Sequence, residues 1–251
     1  GTFLLYSIGN GSATPTNCSH RDGRDSTVTA GAGDPAAAGI ITLSYAKTAN
    51  GPWSTLPTPV LEGLPGKWDA FVTNPSVYIF PNGTVLMAYR GGWSPWHIGI
   101  AVAPSWRGPY RRVSDEPAFP IENEDPGWCL RLPAYLNCLN CLWLTGAVLR
   151  LCSAGLFVDQ RNNFHMLTHY FGRDGPGGHA FSEDGLHWTF AGQAYDFMLR
   201  YDDGTSTRVA RRERPQVLSL GGKPALLFSG VDPHGGMSWT QVQPINQKAE
   251  A

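Results

Sequence analysis

The sequence is short of lysine, of charge and of long apolar runs, and each shortage excludes something. Of 251 residues only 4 are lysine and 16% are charged, against about 25% in an average domain. With 19 Lys+Arg against 20 Asp+Glu the formal net charge is −1. That balance supplies no cationic stripe, so nucleic acid and anionic membrane surfaces are not expected partners. Long solvated helices are not expected either, because they draw heavily on Lys and Glu. The most apolar stretch, Ala134 to Leu149, carries Asn137 and Asn140 and falls short of the roughly 20 residues that span a bilayer. Cysteine is scarce: Cys18, Cys129, Cys138, Cys141 and Cys152 make 5, an odd and uneven set that suits no small disulfide framework. The chain opens on GTFLLYSIG without an initiator Met, a basic leader or a cleavage pattern, which reads as a removed leader or a fragment. Three sequons, at Asn10, Asn17 and Asn82, lean the reading toward a secreted or endomembrane protein.

Turn-makers and aromatics are plentiful instead. There are 30 Gly, 20 Pro, 9 Trp, 9 Tyr and 11 Phe, a composition for strands and tight turns. The expectation is a single all-β domain over residues 1 to 251, a length at which barrels and propellers stay undivided.

A repeat refines this. One hairpin pattern recurs as Pro75-SVYIFPNGTVLMAYR-Gly91, Gly155-LFVDQRNNFHMLTHYF-Gly172 and Pro215-QVLSLGGKPALLFS-Gly230, and the opening FLLYSIG resembles its second half. A second pattern recurs as Ile41-TLSYAKTANGPWSTL, Ile98-GIAVAPSWRGPYRRV and Gly178-HAFSEDGLHWTFAG. In each of these an alternating strand runs into a turn and then an aromatic, Trp53, Tyr110 or Trp188, expected to pack between neighbouring sheets. Four strands at a period of roughly 50 to 60 residues mark a β-propeller blade. The alternative is a β-sandwich with chance likeness among hairpins. The blades fall at about 1–60, 69–120, 124–196 and 211–251; the first lacks its opening strand and the last its fourth. The expected fold is a five-bladed β-propeller, incomplete, with about four blades present.

Residues just before each innermost strand converge on one mouth of a propeller channel. Here they read Thr73-Asn74-Pro75, Glu124-Asp125-Pro126 and Arg212-Glu213-Arg214-Pro215. Ordinary turns leading into strands explain such polar-Pro pairs. Two carboxylates, Asp125 and Glu213, delivered from separate blades also satisfy what glycosidic hydrolysis requires: one acid to protonate the leaving oxygen, another to activate water or attack carbon. Arg211, Arg212 and Arg214 flank Glu213, and their charge is expected to lower its pKa. Arg90 closes the second strand of its hairpin.

These blade starts, with NPSVYIFPNGTVLMAYRG, IGIAVAPSWRGPYRRV, FSEDGLHW and RRERPQVL, resemble the five-bladed propeller glycosidases of glycoside hydrolase families 43, 32, 62 and 68. The likeness covers nearly all of the chain outside residues 127 to 155. It implies hydrolysis of O-glycosidic bonds in a plant- or microbe-type oligo- or polysaccharide, with a carbohydrate as the partner molecule. Glu213 then resembles the general acid and Asp125 the supporting Asp that orients and tunes it. Asn74 is placed against a sugar hydroxyl, with Arg90, Trp93, His169 and Arg212 as further substrate-binding candidates. No cofactor is implied beyond room for a channel-bound calcium or sodium ion near a His. Two departures stand out. The first-blade Asp, the base or nucleophile, is expected on a strand upstream of Gly1. Residues 127 to 155 read as an insertion between Asp-Pro and the strand that should follow. A non-catalytic carbohydrate-binding or structural propeller, and an aberrant gene product, are the competing readings.

Other motifs weigh less. Cys138-Leu-Asn-Cys141 lacks a second ligand pair at zinc spacing except through Cys129 and Cys152. His20-Arg21-Asp22 has no kinase context. His165 and His169 share one side of a strand with Leu167. Ser182 to Trp188 resembles the structural Asp-box turn of sialidases, and Trp93 and Trp96 could stack on a sugar ring.

Overall fold

The computed structural model describes residues 1–9, 39–92, 97–119, 154–169, 177–233 and 238–245. Asp125, Trp93, Trp96, all five cysteines, His20 to Asp22 and all of the expected insertion except its last two residues, Ala154 and Gly155, lie outside them. Every element among the described residues is a strand, and no helix there is long and apolar enough to cross a membrane.

The strands form four blades, as the repeat predicts. The first holds β1 (Phe3–Gly9), β2 (Ile40–Ala46), β3 (Ser54–Thr55) and β4 (Leu61–Glu62), the last two both pairing with β2. The second runs β5 (Val72–Ile79), β6 (Val85–Gly91), β7 (His97–Ala103) and β8 (Arg111–Arg112) in chain order. The third is β9 (Ala154–Val158), β10 (Phe164–Thr168), β11 (Gly177–Ser182) and β12 (Thr189–Tyr195). A separate ribbon, β13 (Met198–Arg200) with β14 (Ser206–Arg208), precedes the fourth blade of β15 (Arg211–Leu220), β16 (Lys223–Asp232) and β17 (Trp239–Pro244). All pairings are antiparallel, the inner strands β5, β9 and β15 stand side by side in that order, and β1 lies beside β5.

Blade alternation builds the core. Met87, Tyr89 and Ala101 of the second blade pack with Ile41 and Leu61 of the first. Leu86, Ala88 and Ile98, pointing the opposite way, pack with Leu156, Phe164 and Met166 of the third. Leu167 and Tyr195 then meet Leu227 of the fourth. Among the described residues no buried apolar cluster joins the fourth blade to the first. Tyr110 and Trp188 pack back onto the preceding blade as expected, whereas Trp53, their counterpart in the first blade, is 40% exposed. The inner strands approach closely at Gly155, where a Cβ would stand 2.1 Å from the Pro215 carbonyl oxygen.

The Ser182 to Trp188 turn is the structural device its sequence suggests. Asp184 Oδ1 accepts from the backbone N–H groups of Leu186 and His187 at 2.8 Å, and Trp188 Nε1 donates to the Gly185 carbonyl at 2.9 Å. These donors hold the Asp184 carboxyl well below its ordinary range. Asn82, the third sequon, caps the β5–β6 turn by accepting from the Thr84 backbone N–H at 3.0 Å and hydroxyl at 2.7 Å.

Candidate functional site

Two inner strands begin with the same kink. In β5 the register slips between Thr73 and Ser76, and in β15 between Glu213 and Gln216. Each slip contains a residue before proline in the left-handed region, Asn74 at φ 48° and Arg214 at φ 53°. Such bulges re-aim the residue beside them. They place Thr73 opposite Arg90, and Glu213 opposite Gly230.

Glu213 is where the site gathers charge. The His169 ring Nε2 lies 3.3 Å from Glu213 Oε1, and the Arg211 guanidinium approaches the same oxygen. His169 follows β10 of the third blade and is 5% exposed, so the contact crosses from one blade to the next. His169, with Arg211 adding, holds the Glu213 carboxyl down at about 2 against the opposing pull of burial. At neutral pH Glu213 is therefore a carboxylate.

The structure brings Glu213, His169 and Arg211 together. Asn74 sits at the matching kink of the second blade, with its Oδ1 accepting from the Thr73 hydroxyl at 3.2 Å. Arg90, next to last in β6, stands at the position that His169 occupies after β10. Arg212 lies on the face of β15 opposite Arg211 and Glu213, because successive strand residues point to opposite faces. Only 2% exposed, it lies 4.7 Å from the Tyr195 ring centroid and donates to the Ser229 hydroxyl and the Asp196 carbonyl at 3.1 Å. It also donates to Gln243. These contacts seal the seam between the third and fourth blades, beside a groove of about 370 Å³ lined by Tyr195, Asp196, Arg212 and Gln243.

Sequence reasoning missed two polar groups, one buried and one half-buried. Asp69, 1% exposed, accepts from the Tyr89 hydroxyl at 2.9 Å and pairs with Arg112, which also donates to the Glu62 carbonyl. This knot ties the first blade to the second, and burial with the Asp69 charge pushes the Tyr89 phenol up. His165 and His179 form a hydrogen bond at 2.9 Å between β10 and β11. Burial and the neighbouring His165 push the His179 ring down. Among the described residues no three His, Cys, Asp or Glu side chains group as a metal site.

No protein-family profile and no curated protein matches the chain. Solved structures do. An alpha-L-arabinofuranosidase of Clostridium thermocellum superposes with a TM-score of 0.51 at 17% identity, covering 83% of this chain and 58% of its own. A glycosyl hydrolase of Bacteroides ovatus gives 0.48 at 15%, covering 82% and 55%. A thermostable family-43 glycoside hydrolase gives 0.49 at 12%, covering 85% and 65%. The chain thus spans less than two thirds of the length of these proteins. With four blades of antiparallel strands and that superposition, the chain has the β-propeller fold of the Clostridium thermocellum arabinofuranosidase.

Proposed function

We propose that the channel mouth of this propeller binds a furanosyl or pyranosyl glycoside and that the protein is a glycoside hydrolase. Glu213 is its general acid, and Asp125 is the carboxylate that orients and tunes it. Asn74, Arg90 and Trp93 contact the sugar, and His169, buried against Glu213, holds that carboxylate in place. The observation that carries the reading is the buried contact between Glu213 and His169 from adjacent blades, on a fold shared with an arabinofuranosidase. An acid must hold a proton at the working pH. Turnover therefore needs both holds on Glu213 to loosen, the larger from His169 and the smaller from Arg211, whose side chain is 56% exposed and open to leave. Hydrolysis also takes a second carboxylate as base or nucleophile.

The clamped, ionised state of Glu213 favours a second reading, a carbohydrate-binding propeller without turnover. Aryl arabinosides, xylosides, galactosides and fructosides separate the two. Release of the aryl alcohol supports the hydrolase. Calorimetric binding of a matching oligosaccharide without release supports the binding propeller, and neither signal defeats both.

A further inference from the structure

Both basic side chains that meet Glu213 do so at one oxygen. Oε1 is buried and has His169 Nε2 at 3.3 Å from the third blade and the Arg211 guanidinium from its own strand. The two partners differ in freedom. The His169 side chain is 6% exposed, whereas that of Arg211 is 56% exposed. The Glu213 side chain itself keeps 18% exposure although Oε1 keeps none. Oε1 is thus approached from inside the protein by both groups, and the exposure that the Glu213 side chain keeps lies on its other atoms. The bulge at Glu213 to Gln216 points the side chain across the blade boundary, and a carboxylate so aimed has free rotation about its χ angles unless a fixed partner stops it.

We propose that His169 is a positioning residue for Glu213: its buried imidazole fixes the carboxylate through Oε1, presents Oε2 to the bound sugar, and leaves Arg211 as the releasable second hold. This rests on the reading of Glu213 as the working carboxylate. His169 acts through Glu213 and takes no part in bond making.

The test is a carbon-13 titration of the Glu213 carboxyl by NMR in the protein and in its His169→Ala, His169→Gln and Arg211→Met forms. The carboxyl titrates at about 2 in the parent and moves toward its ordinary 4.5 in His169→Ala. His169→Gln, which keeps an N–H donor at similar reach, restores part of the shift. Arg211→Met removes an exposed side chain, so it reports the second hold in a protein whose folding is not at issue. On the aryl glycoside that is turned over, His169→Ala lowers kcat by about a hundredfold with KM little changed, the size of effect a misplaced reacting group produces. A midpoint identical in the parent, His169→Ala and His169→Gln overturns the proposal. A midpoint that moves in a protein inactive on every aryl glycoside supports the hold and defeats the hydrolase reading alone.

Discussion

Glu213 leaves its strand at a bulge, and that local kink sets both its neighbours and its charge. Its folded-state carboxyl is held at about 2 against an ordinary 4.5. A depressed carboxyl contributes stability that is full above the unfolded value and is lost as pH falls from about 4.5 toward 2. Urea midpoints measured across that window fall more steeply for the parent than for Glu213→Gln, and parallel curves exclude the coupling. The sequence shows Glu213 among three arginines, and Arg211 does reach it. What was not legible is that His169 is the larger influence, because that contact depends on how two blades meet and not on spacing within either. Adjacent strand residues face opposite ways, so Arg211 and Glu213 share a side that Arg212 does not.

Strands in matching positions carry different burdens. FLLYSIG of β1 aligns with VLMAYRG of β6, so Phe3 matches Val85 and Leu5 matches Met87. Val85 and Met87 are 1% and 0% exposed because the first blade covers them, while Phe3 and Leu5 are 48% and 52% exposed on the same side of their own sheet. Met87→Ala should cost about 2–5 kcal/mol by opening a cavity. Leu5→Ala, the same kind of truncation at the matching position, should cost about 0.5 kcal/mol. Equal losses in denaturant unfolding contradict the blade alignment. The hairpins were readable from alternation and turn residues, as at Phe80 to Thr84, where Asn82 caps the turn. The β13–β14 ribbon was not readable. Its three-residue strands are too short to show a period, and they owe their place to Leu199 and Val209 packing with Val231.

At the scale of the molecule, blades are joined by apolar seams with a few buried charges set into them. Asp69 with Arg112 links the first and second, and Arg212 with Asp196 and Gln243 links the third and fourth. The sequence marks Arg212 as a sugar-binding candidate and does not single out Asp69 or Arg112. Their partners lie on other blades, so only the assembled fold reveals them. Removing Arg212 leaves the neutral acceptors it serves, the Asp196 carbonyl, the Ser229 hydroxyl and the Gln243 amide, without their donor, at about 1–3 kcal/mol for each that stays buried. Arg212→Met is therefore expected to lower the Tm while the folded fraction keeps its kcat/KM, whereas the mouth residues behave in the opposite way. The blade count and the position of Glu213 were legible because repeats and Pro-marked strand starts are local patterns. The direct test of the account is kcat/KM on the aryl glycoside turned over by the parent, compared with Glu213→Gln. The account predicts a fall of about a hundredfold or more, the scale of losing a general acid, with an unchanged Tm at neutral pH. Equal rates in the two proteins would contradict it.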